Sequence, residues 1–275
     1  MKKLIIFGIG QISQVAYYFF SEDSDYEIAG FTVNDDFIDC SQHMGLPVAP
    51  FEEIHERFPP CDFKLFIAIG YGKMNLLRRN KLEETRTKGY ELAHYVSSRA
   101  FVPNKFEARD NLFVLENNVI QPYTTIGENV TLWSGNHIGH HSVIEDDVFI
   151  SSQVIISGAV RVGRASFLGV NSTIGDNISI GAENIIGAGS LVLKNTADKA
   201  VLKANATEAA KITSDQLRLL KYDNVSSGKY KTNSDIGLPS KLYFREEVEK
   251  YSYMWRDGGE FSTEKYNFKD TKKKI

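Results

Sequence analysis

Residues 114–192 read VLENNVIQPYTTIGENVTLWSGNHIGHHSVIEDDVFISSQVIISGAVRVGRASFLGVNSTIGDNISIGAENIIGAGSLV. Every sixth residue is aliphatic: Val114, Ile120, Ile126, Leu132, Ile138, Ile144, Ile150, Ile156, Val162, Leu168, Ile174, Ile180, Ile186 and Val192. Neither the 3.6 period of a helix nor the alternation of a half-buried strand produces this. A six-residue period makes each hexad one short strand and one corner, with each apolar side chain stacked on its copy one coil later. The pattern predicts a β-helix, a solenoid with a ladder of equivalent apolar positions as its core.

The other hexad positions agree. Glycine follows the ladder residue at 127, 139, 163, 169, 175, 181 and 187, as expected where the backbone needs room or a positive φ. Small, short polar or β-branched residues stand four after it: Thr124, Val130, Asn136, Ser142, Val148, Val154, Val160, Ser166 and Ser172. These fit a second, tighter inward position. Val102 and Ala108 keep the register, so the coils are expected from about residue 102, roughly five of them at about eighteen residues per coil.

Working outward, Lys3–Phe7 is an apolar run of the buried parallel-strand type. Gly8-Ile9-Gly10-Gln11-Ile12-Ser13 follows it, then a helix-compatible stretch to Phe20. A glycine turn between strand and helix lets the backbone approach a phosphate, and the helix start offers free N–H groups. Ser13 stands where the dinucleotide fingerprint has its third glycine. A second strand, Glu27–Val33, ends at Asn34-Asp35-Asp36, where an acidic residue commonly meets a ribose hydroxyl. A short helix over Phe51–Phe58, a strand over Phe63–Ile69, a helix over Lys73–Lys88 and a fourth strand over Glu91–Val96 complete an α/β domain of residues 1–97. The solenoid takes residues 98–200. Residues 201–275 form an extension with a helix-friendly start, Ala204–Lys221, and an aromatic-rich remainder.

The chain has 275 residues and a net charge of −3, so no basic surface points to nucleic acid. The lysines at 272–274 read as a solvated end. Cys40 and Cys61 build neither a disulfide framework nor a zinc site. The apolar run at the N-terminus is too brief for a signal sequence, and no stretch is long enough to cross a membrane. A cytoplasmic location is expected.

Three of the six histidines, His137, His140 and His141, fall within five residues. No second cluster is available for a shared metal, so none is expected. A neutral imidazole, with an ordinary pKa of about 6.5, suits proton removal near neutral pH.

The ladder, the stretch Gly139-His140-His141-Ser142-Val143-Ile144 and the following Ile156-Ser157-Gly158 resemble the hexapeptide-repeat acyltransferases. With the N-terminal βαβ domain, the resemblance narrows to enzymes that acetylate nucleotide-linked amino sugars, and to sialic-acid O-acetyltransferase-like relatives. It covers about residues 1–200. It implies a left-handed β-helix, a homotrimer, and acetyl-CoA in a cleft between adjacent solenoids. His140, two after the ladder residue, matches the family's general base. His141 replaces the acidic residue that follows the base, and Asp146 or Asp147 would then supply the missing charge. Gly158 matches the backbone N–H for the oxyanion. Trp133 departs from a small amide, so Asn136 or the indole would line the sugar site. Gly187, Ala188, Gly189 and Lys194 match coils beside coenzyme A. Gly8, Gly10, Gln11 and Ser13 would face the diphosphate, and Asp35 or Asp36 the nucleoside.

The expected activity is N-acetyl transfer. An O-acetyltransferase would use the same base. A nicotinamide-dependent oxidoreductase would need a Tyr-Lys pair and a substrate domain that the chain does not offer, and a non-catalytic scaffold would bind without turnover.

Overall fold

The protein, in a computed structural model, is described over residues 2–209. The aromatic-rich stretch and nearly all of the expected helix at Ala204–Lys221 lie outside the described residues; residues 204–209 form neither helix nor strand.

The first layer is a five-stranded sheet. Strand β1 (Lys2–Phe7) lies between β2 (Tyr26–Val33) and β5 (Phe63–Ile67), and β2 pairs with β4 (Leu46–Pro50), all in parallel. A short β3 (Gln42–His43) pairs antiparallel with β4 at the edge. Leu4, Ile5 and Ile6 are fully buried, which explains a continuous apolar run. Helix α1 (Gln11–Glu22) buries Ser13, Ala16 and Phe20. The expected helix over Phe51–Phe58 shortens to α2 (Ile54–Arg57). The two prolines of β4 hid it from sequence reading, since proline is confined to edges and bulges.

Helix α3 (Leu76–Thr87) starts later than Lys73. Lys73, Met74 and Asn75 all have positive φ, at 51°, 52° and 61°, and a right-handed helix cannot include them. The expected fourth strand is divided. Leu92 bridges to Leu65 of β5, whereas β6 (Tyr95–Val96) pairs with β7 (Phe113–Val114). The solenoid's sheet therefore begins before residue 98, and both layers form one compact unit through Ala206.

From β7 onward, two-residue strands recur every six residues to β20 (Leu191–Val192), followed by β21 (Val201–Leu202). From β7 to β17 each pairs in parallel with the strand one coil on, as Thr131–Leu132 (β10) does with Phe149–Ile150 (β13). Three sheets result, of seven, five and four strands, which are the faces of a left-handed parallel β-helix. All fourteen ladder residues are at most 3% exposed. Three corner columns form its edges. The first edge carries residues 110–111, 128–129, 146–147, 164–165 and 182–183. The second carries 116–117, 134–135, 152–153, 170–171 and 188–189. The third carries 122–123, 140–141, 158–159 and 176–177.

The glycines after the ladder residue do not have positive φ; the residue three after it does, as at Tyr123, His141, Ala159 and Asn177. Those glycines answer to close approach instead. A Cβ at Gly163 would stand 2.5 Å from the Ala182 nitrogen of the next coil. The polar inward residues serve the backbone, as when Val160 N–H donates to Ser142 Oγ at 3.2 Å.

The α/β layer is fastened to the first edge by an amide ladder. Asn111 Nδ2 donates to Asn129 Oδ1 at 2.8 Å, and Asn129 Nδ2 to Asp147 Oδ1 at 2.8 Å. Buried Arg78 of α3 donates to Asn129 Oδ1 and to the Asn129 carbonyl at 2.9 and 2.7 Å. Tyr71 packs on Phe149 and Phe167 of the solenoid. Among the described residues no helix is long and apolar enough to cross a membrane.

A second fastening is Asp23, just after α1, which accepts from Tyr95 Oη at 2.7 Å, Ser97 Oγ at 3.1 Å and Ser98 N–H at 2.9 Å. Partial burial alone would raise its carboxyl; the donors from Ser98, Tyr95 and Ser97 outweigh that and bring it from 3.8 to about 2. A lowered carboxyl contributes stability that is present above its unfolded value and lost as pH falls through the folded one. Asp23→Asn is therefore expected to lower the denaturation midpoint at pH 7, with the difference from the native chain closing between about pH 4 and pH 2. Denaturant titrations at several pH values measure it; a gap that persists unchanged at pH 2 would contradict it.

Candidate active site

The third edge presents two adjacent imidazoles. His140 and His141 are both exposed, at a corner fixed by Ile138 in the ladder. His140 N–H donates to Gln121 Oε1 at 3.0 Å, so the preceding coil holds its backbone. Its Nδ1 lies 3.1 Å from His141 Nδ1. The His141 ring rests on Tyr123, with centroids 4.7 Å apart.

One coil on, Gly158 forms a floor for the His140 ring. A Cβ there would stand 2.7 Å from His140 Cε1 and 2.9 Å from Nε2. Its N–H is not free, because it donates to Asp176 Oδ1 at 2.9 Å. The role expected of Gly158 is thereby corrected in this conformation: what it offers His140 is space, and an oxyanion would have to displace the Asp176 carboxylate. Sequence reading missed Gln121, Tyr123 and Asp176. The signal was available, since Tyr123 is one coil before His141 and Asp176 one coil after Gly158.

His137 is half-buried on β11 (His137–Ile138), paired with Val119 and Ile155 on a flat face. It is not at the corner. Neither acidic candidate serves His140. Asp146 accepts from Glu128 N–H at 2.9 Å, and Asp147 faces Arg79 at 3.3 Å, both on the first edge. Burial raises the Asp147 carboxyl, against the Asn129 hydrogen bond and the nearby arginines.

Asn136 does not line a sugar site. It is 1% exposed, donates to the Trp133 carbonyl and accepts from Val154 N–H at 2.8 Å, inside the coil. Trp133 is half-buried against the apolar cluster of the α/β layer, together with Ile9 and Ile12.

In the α/β layer, Gly8, Gly10 and Gln11 lie at the C-terminal end of β1, beside β5, where the strand order reverses. Gly8 has φ 119° and a Cβ would meet the Ala68 carbonyl at 3.1 Å. Gly10 faces open space, and the α1 N-terminus has no side-chain cap. That is a cradle suited to an anion. Ser13 departs from expectation: it is fully buried and donates to the Gly10 carbonyl at 2.6 Å, so it holds the turn. Asp35 and Asp36 are exposed on a 3-10 turn at the same end of the sheet.

Gly187, Ala188 and Gly189 lie at the second edge. A Cβ at Gly187 would meet the Leu202 carbonyl at 3.0 Å, and Gly189 has φ 69°. Both glycines thus have internal reasons. Lys194 is exposed. Within one chain none of these is brought to His140. A cleft of about 260 Å³ opens at the first edge, lined by Lys73, Asn75, Arg79, Asp147, Arg164 and Glu183 among others, also away from His140.

Residues 123–158 match the family model described as bacterial transferase hexapeptide (six repeats). The match covers two coils of the solenoid. No curated protein matches it. Among solved structures, a His-to-Asn variant of perosamine N-acetyltransferase from Caulobacter crescentus, in complex with CoA and GDP-perosamine, aligns at TM-score 0.64 and 22% identity, covering 72% of this chain and 92% of that one. The acetyltransferase domain of PglB from Neisseria gonorrhoeae aligns at TM-score 0.65 and 22% identity, covering 73% and 96%. WeeI from Acinetobacter baumannii aligns at 0.62 and 16%, covering 72% and 94%. At these identities the likeness is one of fold, over about 72% of the chain.

The glycine floor gives a test that depends only on this geometry. Gly158→Ala is expected to leave the melting temperature within about 2 °C, because what the new methyl meets is the far end of the exposed His140 side chain and no backbone. It should shift the His140 ring resonances in an NMR spectrum. Unchanged His140 resonances would mean that Gly158 does not support the ring.

Proposed function

We propose that this chain transfers an acetyl group from acetyl-CoA to the amine of a nucleotide-linked amino sugar. The observation that carries the reading is His140, an exposed imidazole seated on Gly158 at a solenoid edge, in a chain that also holds an anion cradle at Gly8–Gln11. The solved relatives with CoA and GDP-perosamine support the choice of donor and acceptor. A cytoplasmic location is part of the same reading.

The chemistry follows from one base. His140 Nε2 accepts a proton from the sugar amine as its nitrogen forms a bond to the thioester carbonyl carbon. The carbon–sulfur bond then breaks, and the imidazolium returns the proton to the thiolate. No protein nucleophile is required, because holding both reactants in one cleft supplies much of the rate. Lys194 is one of the exposed cations near the end of the solenoid, and in this reading it meets the phosphates of the donor.

His140 lies on the third edge, whereas Trp133, next to the second, packs against the same apolar cluster as Ile9 and Ile12. The reading therefore includes a homotrimer in which the second edge of one copy faces the third edge of the next. The nucleotide cradle of one chain then serves the base of its neighbour.

Thiol release from acetyl-CoA, measured against a panel of nucleotide-linked amino sugars and their hydroxyl counterparts, tests this. Release with an amino sugar is expected; reaction with hydroxyl acceptors alone would replace the amine reading. His140→Ala should lower turnover by at least about 10² while acetyl-CoA still binds. A dead His137→Ala beside an active His140→Ala would show the base to be misassigned.

A further inference from the structure

His140 is in contact with a second imidazole whose placement has consequences. The two Nδ1 atoms lie 3.1 Å apart with ring planes at 85°. Two imidazole nitrogens form a hydrogen bond at that distance only if one carries the proton and the other offers a lone pair. The far side of His140 decides the direction. A base needs an unprotonated Nε2, so its proton resides on Nδ1. His140 Nδ1–H then donates, His141 Nδ1 accepts, and His141 carries its own proton on Nε2. The accepting ring is fixed from two sides, by the left-handed corner at φ 59° and by the ring of Tyr123.

We propose that His141 is the positioning residue of His140: it selects the tautomer that leaves Nε2 free. This rests on the acetyl-transfer reading of the site. When His140 takes a proton, its Nδ1–H bond to neutral His141 becomes charge-assisted and strengthens. The groups facing the pair are Gln121 and Tyr123 from the preceding coil, and Gly158 with its Asp176 cap from the following two. Asp176 is the one carboxylate among these, and it is engaged with Gly158 N–H. The partner of His140 is an imidazole, and it positions without supplying negative charge.

Two substitutions separate positioning from charge. Ala159, Ala165 and Glu183 occupy equivalent left-handed corners of this same solenoid, with φ between 55° and 56°, so His141→Ala and His141→Glu are compatible with the coil. Acetyl transfer by the full chain is measured across pH for each, with kcat and KM resolved. His141→Ala is expected to lower kcat at least about tenfold while KM for acetyl-CoA changes less than about twofold. His141→Glu is expected to recover part of that loss and to move the acid limb of the pH profile upward, because a carboxylate favours the charged form of the neighbouring ring. Nitrogen-15 NMR of the imidazoles gives a readout without turnover: His140 should be the Nδ1–H tautomer in the native chain and a mixture of tautomers in His141→Ala. Native kcat, an unmoved acid limb and an unchanged His140 tautomer in the variants would overturn the proposal. If no chain transfers acetyl groups but the tautomer still changes in His141→Ala, the pairing stands and the acetyl-transfer reading falls.

Discussion

Fourteen aliphatic side chains stacked at six-residue intervals are the constraint on which everything else in this molecule depends. Each is buried to 3% exposure or less, and each buried Ile, Leu or Val contributes about 1.5–3 kcal/mol. A surface ion pair such as Arg161 with Glu145 contributes at most about 1 kcal/mol. The ladder therefore sets the register and the surface charges follow it. A slip of one residue would turn Gly139, Gly163 and Gly181 inward and lose the core. With the register fixed, every corner residue has one possible edge, and His140 and His141 have the third.

The second layer is attached by the same period. Asn111, Asn129 and Asp147 are eighteen residues apart and all take left-handed corner conformations, with φ between 53° and 62°. Their side chains form a column that Arg78 reads from the α/β side. Burial lowers the Arg78 guanidinium from 12.5 to about 10, with Asp147 acting against it, so it remains charged at neutral pH. Asp147 Oδ2 makes no well-directed hydrogen bond, yet Arg79 Nη1 is 3.3 Å away; the contact is an ion pair, and it keeps a buried carboxylate compensated. This column fixes the anion cradle relative to the solenoid, on the side away from His140.

The sequence made the solenoid legible because its period is strict and its apolar positions tolerate no exception. His140 could be separated from His137 on register alone: two after the ladder residue is a corner, one before it is a strand facing outward. What sequence reading could not supply were directions set by contacts eighteen residues away. Asn136 turns inward to bond the coil, Ser13 turns back to Gly10, and Gly158 spends its N–H on Asp176. The left-handed run Lys73–Asn75 and the division of Glu91–Val96 between two sheets were equally hidden, since no residue type there announces a change of architecture. Glycine was read as a residue of two uses, close approach or positive φ, and the choice between them needed the neighbouring coil.

The central claim is that one chain's cradle serves another chain's base. Subunit complementation tests it most directly. Chains bearing His140→Ala lack the base; chains bearing Gly10→Asp keep it but place a carboxylate in the open space at the α1 N-terminus, against an incoming diphosphate. Co-refolded in equal amounts, the two inactive chains are expected to regain about a quarter of the native acetyl transfer, the share of interfaces that pair an intact cradle with an intact His140. Mixed oligomers that form and remain inactive would contradict the account, because cradle and base would then have to belong to the same chain.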